Sequence, residues 1–244
     1  MGEAAVGLAR AAGYLNAGTV EFLLEGTGDS ATFYFLEVNT RLQVEHGVTE
    51  QVTGVDLVCA QIIVAAGGDL PWSQSSLAQR GHAIEVRICA EDAARGGLPQ
   101  AGPLLLYREP SMPGIRVDSG VIEGGEVSVH YDSLIAKLIA TGESREAARR
   151  RAVEALRAYP ILGVSTNVAH LIHILEHPRF VSGDLDTRFL DAEGAALLAS
   201  NDDPLAFAAA GEVAAVARRD GTSASSTRDR AIGDPWSTLR GFRG

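Results

Sequence analysis

Phe33-Tyr34-Phe35-Leu36-Glu37-Val38-Asn39-Thr40-Arg41-Leu42-Gln43-Val44-Glu45-His46 is the stretch whose reading decides the fold. Its odd positions from Glu37 to Glu45 are Glu, Asn, Arg, Gln and Glu, and the even ones are mostly Leu and Val. Successive strand side chains point to opposite faces, so a strand here gathers acids, amides and a guanidinium on one side. A solvated edge strand usually carries interchangeable Lys, Glu and Thr instead. Upstream, Thr19-Val20-Glu21-Phe22-Leu23-Leu24-Glu25 also reads as a strand, and the Gly-rich residues 26–32 read as a hairpin loop. A hairpin symmetric about Asp29 sets Glu21 opposite Glu37 and Thr19 opposite Asn39. Opposed carboxylates about 5 Å apart at Cβ repel unless a cation lies between them. Glu21, Glu37 and Asn39 are therefore read as a metal site. An all-oxygen set suits a hard cation such as Mg²⁺ (or Mn²⁺), which takes one or two carboxylates together with phosphate oxygens.

The run from Glu37 to His46, continued by Val48-Thr49-Glu50 and Thr53-Gly54-Val55-Asp56-Leu57, resembles the signature of the biotin carboxylases, which are ATP-grasp proteins. The resemblance extends through residues 81–92 and through Tyr131-Asp132-Ser133-Leu134-Ile135-Ala136-Lys137-Leu138, and it covers roughly residues 1 to 195. It implies an α+β fold with residues 1–72 as the carboxy-terminal part of an ATP-grasp domain. Residues 81–192 would be the biotin carboxylase C-terminal domain, with antiparallel sheet and helices. Residues 193–244 would be a helix and flexible linker, whose Trp236 segment is similar to one in 3-methylcrotonyl-type acyl-CoA carboxylases.

The implied reaction joins bicarbonate to biotin at the expense of ATP. In it Glu21, Glu37 and Asn39 match metal ligands on the ATP phosphates, and Arg41 matches a bicarbonate ligand, helped by Gln43 and the backbone of Val44. Glu45 matches the general base that deprotonates bicarbonate, and Arg87 the group that stabilises the enolate-like biotin oxygen. Leu23 and Thr187 match positions near the adenine. Taken singly, Arg41 with Glu45 and Glu85 with Arg87 also read as ordinary surface pairs. Gly47 stands where the family usually has Pro, which is expected to loosen the turn after His46. The implied partners are a separate biotin carboxyl carrier domain, a carboxyltransferase subunit and a second copy of the chain. Related readings are a urea or pyruvate carboxylase, or a non-catalytic module that binds subunits.

The bulk properties are those of a soluble globular protein. At 46% hydrophobic and 21% charged residues, the 244-residue chain can build a core of one large or two small domains. No apolar run approaches the length of a membrane span. Met1-Gly2-Glu3-Ala4 has no basic stretch leading into an apolar run, so no signal peptide is expected and the cytoplasm is the default location. The net charge of −10 argues against a nucleic-acid surface. Cys59 and Cys89 lack metal-type spacing and read as core residues.

Asp56 is placed as the cap of a buried apolar helix running to Ala66, and His82 to Ala90 as a strand with Glu85 and Arg87 on its outer side. Short strands within 104–130 suggest a meander. Ser144 caps a helix whose Ala148, Ala152, Ala155, Leu156 and Tyr159 form one stripe, with Arg149, Arg150 and Arg151 solvated. His170 and His173, three apart on a further helix, lack a carboxylate or Cys partner and read as surface or core residues. A glycine-rich phosphate lid is expected upstream of Met1. The chain alone is accordingly expected to show no bicarbonate-dependent ATP hydrolysis, and turnover of free biotin by it in a phosphate-release assay would contradict that.

Overall fold

The computed structural model describes residues 1–26 and 28–198. Helix α1 (Gly2–Ala11) ends just before Gly13, whose φ of 62° takes the chain out of the helix. Strands β1 (Thr19–Glu25) and β2 (Thr32–Asn39) then pair antiparallel. Thr19 faces Asn39 and Glu21 faces Glu37, the pairing expected from symmetry about Asp29. Beyond Glu21 the partner jumps to Phe35, so Leu36 is the extra residue of a β-bulge.

Residues 40–45 are not strand, contrary to the alternation read through Glu45. Asn39 pairs with Thr19, the first residue of β1, so nothing lies opposite the chain beyond it. The backbone turns instead, and helix α2 (His46–Thr53) follows, closed by Gly54 at φ 75°. Asp56 caps α3 (Leu57–Ala65), its carboxylate accepting from the Cys59 amide at 2.7 Å. Helix α3 is apolar but not buried: Ala60 is covered, while Val58, Ile62 and Ile63 are exposed. Cys59 is exposed and Cys89 partly covered, so the reading of both as core residues is corrected for Cys59.

The second half is built on three antiparallel strands in the order β3 (His82–Cys89), β10 (Leu134–Gly142), β8 (Ile115–Ser119). The expected meander is absent from residues 91–127. The short strands there form two-residue ladders: β4 (Glu91–Asp92) with β5 (Leu98–Pro99), and β6 (Gly102–Pro103) with β9 (Glu126–Val127). Strand β7 (Leu106–Tyr107) pairs with β11 (Ile161–Leu162). The Gly and Pro residues keep these ladders short, and β8 is the stretch of this region that pairs over five residues. Gly163, at φ 115°, passes so close to the Pro103 carbonyl that a Cβ would collide with it.

One face of the sheet carries the core. Val86, Ile88, Ala136, Leu138 and Ala140 pack with Ala152, Ala155, Leu156 and Tyr159. The last four lie on or just beyond α4 (Arg145–Arg157), whose cap Ser144 accepts from the Ala147 amide at 3.2 Å. Of the three arginines read as solvated, Arg150 is exposed. Arg149 donates to the Leu175 carbonyl at 3.1 Å and Arg151 to the Thr141 carbonyl at 2.6 Å, tying α4 to its neighbours. Helices α5 (Val168–Glu176), α6 (Pro178–Ser182) and α7 (Phe189–Leu198) complete the described part. His173 contacts the Leu197 carbonyl at 2.9 Å, which makes it a packing residue. The part of the expected helix beyond Leu198, the flexible linker and the Trp236 segment lie outside the described residues. Among the described residues no single helix is long and apolar enough to cross a membrane.

The opposite face of the sheet is charged. Across the strands Asp118 pairs with Lys137 and Lys137 with Arg87; two rungs along, Arg116 pairs with Ile139 and Ile139 with Glu85. Helix α2 packs on this face. Its Glu50, 8% exposed, accepts from Arg116 at 2.7 Å and, through its other oxygen, from the Leu57 amide at 2.8 Å, so one carboxylate anchors α2 and caps α3. Glu50→Ala should cost about 2–3 kcal/mol of stability, because it leaves one Arg116 nitrogen and the capped Leu57 amide without their acceptor. Glu50→Gln keeps the cap and should cost about half as much. Urea denaturation followed by circular dichroism checks the order, and equal losses would contradict it.

Candidate active site

Glu21, Glu37 and Asn39 stand together on one side of the hairpin. The Asn39 amide nitrogen donates to Glu21 at 2.7 Å and to Glu37 at 3.0 Å, so a single polar group spans the two carboxylates. Gln43 donates to the same Glu21 oxygen at 3.2 Å. The repulsion expected between facing acids is offset here by amide hydrogens. Rotating the Asn39 amide by half a turn replaces its donor with a carbonyl oxygen and yields three oxygen donors. That donor set fits a hard divalent cation. Among the described residues no cluster of three or more His, Cys, Asp or Glu offers an alternative metal site.

Glu45 and Arg87 form a second pair, 2.7 Å apart and each about half exposed (50% and 52%). Glu45 sits where the turn enters α2, and Arg87 lies on β3. The outer edge of β3 is held by Asn167. Its amide donates to the Arg87 carbonyl at 3.0 Å, and its side-chain oxygen accepts from the Cys89 amide at 2.9 Å. A side chain thus stands in for a neighbouring strand and fixes the backbone beneath Arg87.

The remaining candidate residues make other contacts or are exposed. Arg41 is exposed and donates to the Leu42 carbonyl at 3.2 Å rather than pairing with Glu45. The Val44 carbonyl accepts from the Lys137 ammonium at 2.6 Å. Leu23 is exposed on β1, and Thr187 is exposed just before α7.

Glu85 does not lie on an outer surface paired with Arg87. Both of its oxygens are buried beneath α2 with no hydrogen-bond partner. Gly47, inside the first turn of α2 and buried, makes that burial possible: a Cβ there would stand 2.8 Å from Ile139 and 3.1 Å from Glu85. Gly47 therefore seats the helix against the sheet, rather than loosening a turn. Lys137, Arg116, Glu50, Glu85 and Asn167 were not singled out as site residues from the sequence. The parity that sets Lys137 apart from Leu134, Ala136 and Leu138 was the available signal for the charged face.

Two family models match the chain: the biotin carboxylase C-terminal domain over residues 85–192, and the carbamoyl-phosphate synthase L chain ATP-binding domain over residues 1–73. The chain belongs to the biotin carboxylase family. It is 48% identical over 191 residues to the mitochondrial methylcrotonoyl-CoA carboxylase subunit alpha of Glycine max, which covers 78% of this chain and 26% of that protein. It is 50% identical over 192 residues to the mitochondrial propionyl-CoA carboxylase alpha chain of Homo sapiens, with 78% and 26% covered. The chain thus spans about a quarter of the length of these curated relatives.

Among solved structures, the biotin carboxylase domain of the Hydrogenobacter thermophilus 2-oxoglutarate carboxylase superposes with a TM-score of 0.78 at 41% identity, covering 82% of this chain and 44% of that one. That structure was determined with MgADP, ADP and bicarbonate. The Campylobacter jejuni biotin carboxylase superposes with a TM-score of 0.73 at 39% identity, covering 78% and 42%.

Burial raises the Glu85 pKa above the ordinary carboxylate value; Lys137, Arg87 and His46 oppose the shift and Glu45 adds to it, without reversing its direction. The folded chain then holds this proton more tightly than the unfolded chain. The associated stability is complete below the ordinary glutamate pKa and is lost as pH rises through the folded value. Glu85→Gln, which mimics the protonated form, should raise the melting temperature at about pH 8 and give no gain near about pH 4. Thermal melts across that range check it, and a gain independent of pH would contradict it.

Proposed function

We propose that the chain supplies one side of the active site for ATP-dependent carboxylation of biotin by bicarbonate, within a biotin-dependent acyl-CoA carboxylase. The observation that carries this reading is the Asn39 amide joined to both Glu21 and Glu37, a few residues along the chain from the Glu45–Arg87 pair. The MgADP and bicarbonate held by the Hydrogenobacter relative support it.

In this reading Glu21, Glu37 and Asn39 would hold a divalent cation that would neutralise phosphate charge, and Leu23 and Thr187 border the adenine. A bound magnesium nucleotide supplies the electrophilic phosphoryl group with its charge partly neutralised. Arg41, exposed at the site, clamps bicarbonate through its planar fork, with Gln43 and the Val44 backbone completing the cradle. Glu45 takes the bicarbonate proton. The bicarbonate oxygen bonds to the terminal phosphorus as the bond to ADP breaks, giving carboxyphosphate, which then delivers its carboxyl carbon to biotin and releases phosphate. Arg87 faces the ureido oxygen of biotin while the adjacent nitrogen gives its proton to the departing phosphate, stabilising the charge that develops there. Biotin arrives on a separate carrier domain, a carboxyltransferase subunit takes the product onward, and the chain works as a homo-oligomer.

The test combines the chain with the amino-terminal ATP-grasp segment of a solved relative and measures bicarbonate-dependent phosphate release. Glu45→Gln should lower the rate by about a hundredfold or more, as expected for loss of a positioned base. Equal rates for Glu45→Gln and the parent chain would reject the assignment.

A further inference from the structure

The sequence contains twenty arginines and a single lysine, Lys137. That lysine is also among the most buried charged groups described, at 9% exposure, in the centre of the charged face of the sheet. Its ammonium donates to the Val44 carbonyl at 2.6 Å and approaches Asp118 at 3.4 Å. The His46 ring nitrogen Nδ1 lies 3.5 Å away, but that atom also lies 2.8 Å from the Gln43 carbonyl. A carbonyl oxygen accepts and cannot donate, so Nδ1 carries a proton toward Gln43 and offers Lys137 no lone pair. The ammonium is thus committed to one carbonyl on the turn before α2 and one carboxylate on β8.

A guanidinium is a wide planar fork, whereas an ammonium is a compact point with three donors able to reach acceptors on two different elements from one atom. In a chain that otherwise uses arginine for every cationic side chain, lysine stands at the one buried position where the smaller head bridges the turn to the sheet. Asp118 keeps Arg116 as a partner at 2.7 Å if Lys137 is lost, but among the described contacts the Val44 carbonyl has no second donor.

We propose that Lys137 is a positioning residue for the anion cradle: its ammonium pins the Val44–Glu45 peptide to the carboxy-terminal sheet, so that the Val44 backbone and the Glu45 carboxylate meet bicarbonate in a fixed orientation. This rests on the reading of those two residues as bicarbonate-facing groups. It adds a residue from the neighbouring strand β10 that never touches the substrate and sets the geometry of those that do.

The test uses the 244-residue chain, with Lys137→Met removing the charge and Lys137→Arg retaining it. Circular dichroism reports the fold, hydrogen exchange reports residues 42–48, and line broadening of ¹³C-bicarbonate reports binding. Lys137→Met should speed exchange at the Glu45 and His46 amides while leaving α4 unchanged, and should weaken bicarbonate about tenfold, the usual scale for losing a charge-assisted hydrogen bond. Lys137→Arg keeps the pairing with Asp118 and so folds, yet should show the same two losses; it carries the test if Lys137→Met does not fold. Wild-type bicarbonate affinity in Lys137→Arg, or faster exchange without weaker binding in either variant, overturns the proposal. A parent chain that fails to broaden the bicarbonate signal defeats the anion reading of Val44 and Glu45, and the proposal with it.

Discussion

The rung of Asp118, Lys137 and Arg87 across the three-stranded sheet is the constraint on which the rest of the molecule depends. It gives a sheet with an apolar core on one face a second face that is charged yet half-covered. Apart from Glu85, whose oxygens have no partner, the charges placed there are tolerable because each is committed. Asp118 shows the balance: burial alone would raise its pKa, and the Arg116 hydrogen bond, the Arg116 charge and Lys137 together hold it below the ordinary carboxylate value. The Asp118 and Glu50 hydrogen bonds in turn push Arg116 above the usual arginine value. Helix α2 therefore settles on a surface whose charges fix its position, with Gly47 allowing the close approach.

This arrangement links the two halves of the candidate site. The Glu21–Asn39–Glu37 group belongs to the hairpin, whereas Arg87 belongs to the sheet. The segment between them, residues 40–45, has no strand partner and takes its shape from what holds its ends. At one end Gln43 bonds back to Glu21; at the other Lys137 and Arg87 take hold of Val44 and Glu45. A loop fixed at both ends by side chains from two different elements keeps reactive groups in register without being part of either.

Much of this was legible in the sequence, for identifiable reasons. The hairpin register followed from two strand-like runs and a Gly-rich connection, and the acid facing acid followed from that register. The stripe on α4 and the caps at Asp56 and Ser144 are local patterns, which a sequence displays directly. Three things were not legible. The strand alternation continues in the letters through Glu45, although strand β1 runs out opposite Asn39, because a sequence shows periodicity and not where the partner ends. Glu85 read as solvent-facing, since nothing in its own strand reports that α2 lies above it. The exposure of α3 was missed for the converse reason: an apolar helix reads as buried whether or not anything covers it.

The β1–β2 ribbon has a consequence of its own. Phe33, Tyr34, Phe35 and Leu36 form an unbroken apolar run, each between 42% and 56% exposed, on a sheet of two strands whose outer edges have no strand neighbour among the described residues. A short uncharged run of high strand propensity beside an open edge is the pattern that recruits further strands, and the bulge at Leu36 is the local feature that bends the ribbon away from flatness. The colloidal behaviour of the chain is then governed by whatever shields these four side chains, and a net charge of −10 offers them little protection, because repulsion across a whole molecule fades over about 8 Å in physiological salt.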